Sequence, residues 1–312
     1  MPHTRIIVNP TSGRGAGEQA IPLIESQLKS LGVDFDIRRT QRPWHAAELA
    51  RQAALEKVPV VAAAGGDGTA NEVINGLMLA RLEGADATAM GMLPVGRGND
   101  FAFSMGLPLE LEAACRCLAQ DCRRKIDIGR VVGGDYPQGR YFGNGIGVGF
   151  DAVVGFIALK MTRLSGFPSY IAAALQAIFI YYKAPRVHLH TDDDSFDQRS
   201  LMVSVMNGRR MGGGFMMAPD SRSDDGLLDL CIARQVSRLR ILRLIPYFMQ
   251  GDQATQPEIR SLRTRTLSIT ALEGVLPAHA DGETLCVEGK QLTVELLPRQ
   301  LDLVSPGAQG AA

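Results

Sequence analysis

Three stretches set carboxylates beside glycines in patterns that could do chemistry: Gly65-Gly66-Asp67-Gly68-Thr69, Asp224-Asp225-Gly226-Leu227 and Asp281-Gly282-Glu283. The first says most. An apolar run from Val58 to Ala64 leads into it, and Ala70, Val73, Ile74, Leu77 and Met78 follow at helical spacing. A buried strand, a glycine turn and a helix N-terminus make an anion site. Glycine lets the backbone approach a phosphate, and the first N–H groups of the helix point at it. Asp67 alone would repel phosphate. A divalent cation between them reverses the sign, because hard cations take oxygen ligands. The stretch therefore predicts a nucleoside triphosphate–Mg²⁺ site, with Thr69 and Glu72 spaced for a capping box. The alternative is a plain turn in which Asp67 only bends the backbone.

Alternating strands and helices position this loop. Arg5–Val8 reads as a strand, followed by the glycine-punctuated loop Asn9-Pro10-Thr11-Ser12-Gly13-Arg14-Gly15 and a helix from Glu18 to Leu31. Phe35–Arg38 is a second strand ending at Thr40. A helix over Trp44–Glu56 and a strand over Val60–Ala64 come next. A strand over Thr88–Leu93 then opens into Pro94-Val95-Gly96-Arg97-Gly98-Asn99-Asp100-Phe101, and a helix spans Leu109–Leu118. This order predicts a doubly wound parallel sheet, with ligands at the carboxyl ends of its strands. After Lys125–Val131 the chain becomes glycine-rich and alternating, and many short strands with turn signals predict a β-sandwich. The expected domains are residues 1–130 and 131–305, with a frayed tail over 306–312.

Composition sets limits. The chain of 312 residues is 46% hydrophobic, enough for two cores, and its 33 Lys+Arg balance 33 Asp+Glu. That balance gives no global pull toward nucleic acid or acidic lipid. The start runs into a strand without a signal-peptide core, and the greasy stretch Ile171–Tyr182 is too short to span a bilayer. Five cysteines without paired spacing point to a reducing cytoplasm. Cys115, Cys117 and Cys122 read as core fillers rather than a metal site.

Gly65-Gly66-Asp67-Gly68-Thr69 followed by Asn71-Glu72 resembles the signature of the diacylglycerol-kinase catalytic-domain family, which includes soluble bacterial lipid kinases and the sphingosine and ceramide kinases. NAD kinases and phosphofructokinases carry a related loop. The resemblance continues through Asn9-Pro10 and the Gly-x-Gly-Asn-Asp of residues 96–100. In the second half it includes Gly145-Ile146-Gly147-Val148-Gly149-Phe150-Asp151, Asn207-Gly208, Gly212-Gly213-Gly214 with Ala218-Pro219, and Asp225-Gly226-Leu227-Leu228-Asp229-Leu230. NAD kinases lack this second set. The match covers most of residues 5–304.

The resemblance implies an α/β nucleotide domain followed by a β-sandwich, with the active site in the interdomain cleft. It implies an ATP- and Mg²⁺-dependent kinase that phosphorylates a hydroxyl of a membrane lipid such as diacylglycerol, cytoplasmic and peripheral at the membrane surface. The expected ATP site comprises Asn9, Pro10, Thr11, Ser12, Gly13, Thr40, Gly65, Gly66, Asp67, Gly68, Thr69, Ala70, Asn71, Glu72 and Arg97. Asp67 would act on the catalytic Mg²⁺ through the nucleotide. A structural Mg²⁺ would be held by Asp225 and by the carbonyls of Arg222 and Leu227. Asp281 and Glu283 match the family's acidic pair, as acceptor base and metal partner in either order. If Ala278–Glu283 is extended, His279, Asp281 and Glu283 share one face; His279 reads as structural. Arg97 stands where the family usually has Thr, and guanidinium is suited to phosphate. Two other readings stay open: a kinase of a soluble substrate such as NAD, and a non-catalytic ATP or lipid sensor, which Arg97 invites.

Two features bear on the lipid side. Tyr170, Ile171, Ala174, Leu175, Ile178, Phe179 and Tyr182 form an apolar helical stripe, which reads either as an acyl-chain cleft or as core. Arg234, Arg238, Arg240 and Arg243, interleaved with Leu239, Ile241, Leu242, Leu244 and Ile245, suit a basic amphipathic helix on anionic lipid, or a solvated face. Arg260, Arg263 and Arg265 add to the basic character.

Overall fold

The computed structural model describes residues 2–161, 166–180 and 184–307. Tyr182 of the apolar stripe and residues 308–312 of the expected tail lie outside this set. The chain forms two compact units: Met1–Ile126 with Arg299–Ala312, and Asp127–Pro298.

The first unit holds β1 (Thr4–Val8), α1 (Ser12–Ser30), β2 (Phe35–Arg39), α2 (His45–Leu55), β3 (Val60–Gly65), α3 (Asp67–Leu82), β4 (Ala89–Pro94), α4 (Asp100–Ser104) and α5 (Leu111–Gln120). Its sheet runs β4-β3-β1-β2, all parallel, with Ile6 opposite both Ile37 and Ala62. β3 and β4 are buried at every position, which is why their sequences are continuous apolar runs rather than alternating ones. Ile6, Val8, Ala62, Ala64 and Leu93 pack with Ile21, Ile24 and Leu28 of α1 and with Cys115 and Leu118 of α5. Pro22 lies inside α1, a defect of about 3 kcal/mol. The burial of Ile21, Ile24 and Leu28 outweighs it at about 1.5–3 kcal/mol each. Cys115 and Cys117 are core fillers, and burial pushes both thiols up to about 11.

Two strands carry the chain between the units. β5 (Arg123–Gly133) leaves the first, and β15 (Gln291–Val304) returns to it, so that Leu303 pairs in parallel with Met90 of β4. The second unit contains β6 (Tyr136–Phe142), β7 (Gly145–Gly149), α6 (Phe150–Lys160), α7 (Phe167–Ile180), β8 (Arg186–Thr191), β9 (Ser195–Met206), β10 (Leu228–Arg234) and α8 (Arg238–Gln250). They are followed by β11 (Ile259–Thr264), β12 (Thr266–Glu273), β13 (Leu276–Ala280) and β14 (Glu283–Gly289). The long strand β9 serves two sheets. Residues 195–199 pair with β8, which continues into β12 and β15. Residues 200–206 pair with β7 and β10, which continue into β13, β14 and β11. Side chains from both sheets, including Ile146, Val203, Leu230, Leu189, Ile269 and Leu292, close one core, the sandwich arrangement expected. α6, α7 and α8 contribute to a separate cluster around Met202, Met206 and Cys231.

The extended reading of Ala278–Glu283 is corrected here. Strand β13 ends at Ala280, Asp281 and Gly282 take φ of 49° and 85°, and Glu283 opens β14. The Asp-Gly pair makes a hairpin turn, so His279, Asp281 and Glu283 do not line one strand face.

Candidate active site

In the first unit, loops at the carboxyl ends of β1, β3 and β4 converge. The Asn9 side chain ties the first two. Its Nδ2 donates to Thr69 Oγ1 at 3.2 Å, while its Oδ1 accepts from the Thr11 N–H and hydroxyl at 3.1 and 2.9 Å. Gly13, Arg14 and Gly15 all have positive φ, from 59° to 97°. Regular α1 geometry begins only after them, and two of the three being glycine makes the reversal tolerable. A Cβ on Gly13 would sit 2.6 Å from the Val95 carbonyl oxygen, and one on Gly96 would sit 2.3 Å from Gly66 Cα. Glycine at these positions is what allows the loops to touch. Asn99 fixes the third loop by accepting from Gly96 N–H at 3.0 Å and donating to Gly96 O at 3.2 Å. Thr40 joins the same edge, its N–H donating to Val8 O at 2.8 Å. Asn9 to Gly13, Thr40 and Gly65 to Thr69 are thus assembled along one sheet end, and Arg97 stands exposed in the third loop.

Asp67 begins α3, behind the extended Gly66. Its Oδ1 accepts from Phe101 N–H at 2.9 Å. Its Oδ2 and that of Asp100 lie 3.0 and 3.4 Å from the spot a Cβ on Gly98 would occupy. Two carboxylates thus lie beside one glycine. The pair of hard oxygen donors fits Mg²⁺. The sequence shows Asp100 only as part of a loop motif; nothing in its spacing marks it as the partner of Asp67.

Ala70, Asn71 and Glu72 of the expected ATP set also have contacts within this unit. Ala70 and Asn71 are buried, and Asn71 accepts from Asn75 of its own helix. Glu72 does not close a capping box with Thr69. Its oxygens accept the N–H groups of Trp44 and Ala46 at 2.8 and 3.0 Å, capping α2 across a separation of up to 28 residues. For the capping box, tertiary contact has overridden the local spacing.

In the second unit the acidic pair divides. Asp281 is 6% exposed and accepts three backbone N–H groups, Gly143 at 2.8 Å, Asn144 at 3.0 Å and Gly145 at 2.9 Å. Its own N–H donates to Gly145 O at 2.9 Å. A carboxylate held in this way fixes the β6–β7 turn. Glu283 is different. Its side chain is 46% exposed and 4.0 Å from the buried guanidinium of Arg140, which donates to Tyr136 Oη at 2.6 Å. His279 is buried. Its Nδ1 accepts from Gly282 N–H at 3.3 Å, which leaves the ring proton on Nε2, facing Asp151 at 3.8 Å. Ser204 donates to the other oxygen of Asp151 at 3.0 Å. Gly147 has no side chain to fill the space these groups occupy: a Cβ there would meet His279 Nε2 at 2.5 Å and Asp151 Oδ2 at 2.6 Å. The structural role expected of His279 is the one seen.

The loop of Arg222, Asp225 and Leu227, the expected structural metal site, is tied to its neighbours through Asp225. Asp225 pairs with Arg263 through one oxygen and accepts Leu227 N–H at 3.1 Å through the other. Gly226 N–H donates to the fully buried Asp127 at 2.8 Å. The Arg263 guanidinium stands beside Asp225. Nearby Asp229 is held above the usual carboxylate range by burial, which the neighbouring Arg263 opposes.

The comparisons with known proteins agree with this geometry. Residues 3–131 match the family described as diacylglycerol kinase catalytic domain, and residues 144–305 match the YegS C-terminal NAD kinase beta sandwich-like domain. A diacylglycerol kinase of Mycobacterium tuberculosis is 30% identical over 96% of this chain and 94% of its own. A diacylglycerol kinase of Bacillus subtilis is 29% identical over 91% and 90%. The crystal structure of a putative diacylglycerol kinase from Bacillus anthracis superposes with a TM-score of 0.77 at 22% identity, over 99% of this chain and 98% of that one, and so shares the fold. With its glycine–aspartate loop in the first half and its sandwich in the second each matched in turn, the chain belongs to the diacylglycerol kinase catalytic-domain family and is a lipid kinase.

Proposed function

We propose that this protein transfers the γ-phosphoryl group of ATP to a hydroxyl of a membrane lipid such as diacylglycerol, with Mg²⁺, working as a peripheral enzyme at the membrane surface. The observation that carries the reading is the convergence of three glycine loops on Asp67 at the N-terminus of α3. Backbone N–H groups there cradle the phosphates, Asn9 and Thr69 keep the loops in register, and Arg97 reaches a phosphate oxygen. Asp67 and Asp100 would hold Mg²⁺, which when bound neutralises phosphate charge as the transfer proceeds.

The bond from the γ-phosphorus to the leaving ADP oxygen breaks, and one to the lipid oxygen forms. Glu283 receives the hydroxyl proton. Asp281 holds the turn that presents Glu283, and His279 supports it through Gly282. This assignment replaces the shared role read from the sequence for the acidic pair.

The test is phosphate transfer from labelled ATP with Mg²⁺ to mixed micelles of diacylglycerol, phosphatidylglycerol, ceramide or sphingosine, and to NAD. Label on a lipid, lost in Glu283→Gln, is the expected result and names the acceptor. Label on NAD alone overturns the lipid reading. ATP binding without any transfer overturns catalysis and favours a sensor.

A further inference from the structure

Helices α7 and α8 of the second unit leave large apolar side chains outside. On α7, Leu175, Phe179 and Ile180 are 43%, 72% and 63% exposed; on α8, Leu239, Leu242 and Met249 are 69%, 39% and 43% exposed. These are not the edges of an incomplete core. α7 already buries Ala173, Ala174, Ala177 and Ile178, and α8 buries Ile241 and Leu244. The exposed set lies on the opposite faces, with Leu239, Leu242 and Met249 recurring at helical spacing, as do Leu175 and Phe179. The two helices touch. Arg238 of α8 lies 5.8 Å over the Phe179 ring and donates to Ile178 O at 3.2 Å. The apolar side chains therefore form a continuous patch, of a kind that marks an interaction surface.

Charge indicates what covers it. The chain as a whole is balanced, yet α7 carries no charged residue, and α8 carries three arginines and no acid. Arg240 is committed to Glu258 at 2.9 Å. Arg238 and Arg243 are exposed. The other arginine group belongs elsewhere: Arg260 pairs with Asp194, and Arg263 with Asp225 and Asp229. Apolar side chains flanked by guanidinium groups, with no carboxylate on either helix, complement one surface in particular. Apolar groups enter the acyl boundary while guanidinium meets lipid phosphate. Among the described residues no helix is long and apolar enough to cross a membrane, so the helices would lie on the surface.

We propose that α7 and α8 form a docking face for an anionic bilayer surface. The purpose of the face rests on the lipid-kinase reading; the binding does not, and it is measured without ATP. The experiment is flotation with vesicles of phosphatidylcholine, alone or with phosphatidylglycerol. It uses the full chain, Phe179→Ser/Leu239→Ser and Arg238→Gln/Arg243→Gln, with melting curves as a check on folding. The wild type floats with the anionic vesicles. The serine variant binds them at least about tenfold more weakly, because two apolar anchors are lost. The arginine variant loses about fivefold per arginine, along with part of the salt dependence.

Absence of wild-type flotation overturns the proposal, as does unchanged flotation of either folded variant. If the serine variant instead converts an oligomer to a monomer and still floats, the patch joins copies of this chain and the proposal also falls. Flotation as expected, with no lipid phosphorylated in the labelled-ATP assay, leaves the docking face standing and removes the lipid-kinase reading.

Discussion

Asp67 and Asp281 are both aspartates followed by glycine, and the fold uses them in opposite ways. Asp67 is partly exposed at the start of α3 and shares the space beside Gly98 with Asp100. Asp281 is buried in a hairpin turn with three backbone N–H groups on its oxygens. The chemistry of a carboxylate depends on what already occupies its lone pairs. At Asp67 one oxygen takes a single backbone N–H and the other lies near a second carboxylate, hard oxygen donors of a kind that suit a divalent cation. At Asp281 the backbone supplies the donors, and the side chain becomes part of the scaffold.

The sharpest way to break this comparison is Asp67→Asn. The amide keeps the shape and removes the charge, so turnover falls about a thousandfold, while the melting temperature moves little. A melting curve that collapses in this variant would make Asp67 scaffold as well. Glu283→Gln is next. Loss of a positioned base costs about a hundredfold or more in turnover, again with little change in stability because the side chain is half exposed. Equal turnover in Glu283→Gln and wild type would return the base role to another group.

Asp281 carries the opposite expectation. Asp281→Ala leaves three buried N–H groups without their acceptor, a loss of about 3 kcal/mol or more at about 1–3 kcal/mol for each unsatisfied group. Urea unfolding would show it directly as a lowered midpoint. Asp281→Asn is intermediate, since its amide oxygen can serve Asn144 and Gly145 while its NH2 group faces the Gly143 donor. An Asp281→Asn protein of full stability and no turnover would reinstate Asp281 in the chemistry.

The same contrast explains what the sequence revealed and what it hid. The first unit is legible because its signals are local. Val60–Ala64 is a continuous apolar run, Gly65–Thr69 a loop, and the periodic residues after it a helix, and all three stand in one stretch of chain. The site around Asp281 depends on partners at positions 143–145, more than a hundred residues away. The shared face of His279, Asp281 and Glu283 held only for an extended Ala278–Glu283, and Asp281-Gly282 is itself a turn signal. Glu72 misled in the same way. Spacing suggested a cap with Thr69, while the fold supplied Trp44 and Ala46 as partners. The return of β15 into the first unit has no local mark, because one strand pairs antiparallel with β12 and then parallel with β4.

The smallest expected effect concerns Asp229, a carboxylate with neither role. It is partly buried beside Arg263 at 3.3 Å, and burial wins, so its pKa in the folded protein is raised. A raised carboxylate binds its proton more tightly folded than unfolded. It therefore favours folding while both states are protonated, and that contribution is lost as pH rises through the ordinary carboxylate range toward the raised value. At neutral pH the buried charge is a cost. Asp229→Asn should raise the melting temperature slightly at neutral pH, and the difference should shrink as the pH is lowered through the carboxylate range. Melting curves of the two proteins across that range measure it. A variant less stable than wild type at neutral pH would show that the Arg263 pair outweighs desolvation, and would move Asp229 from tolerated charge to structural anchor beside Asp281.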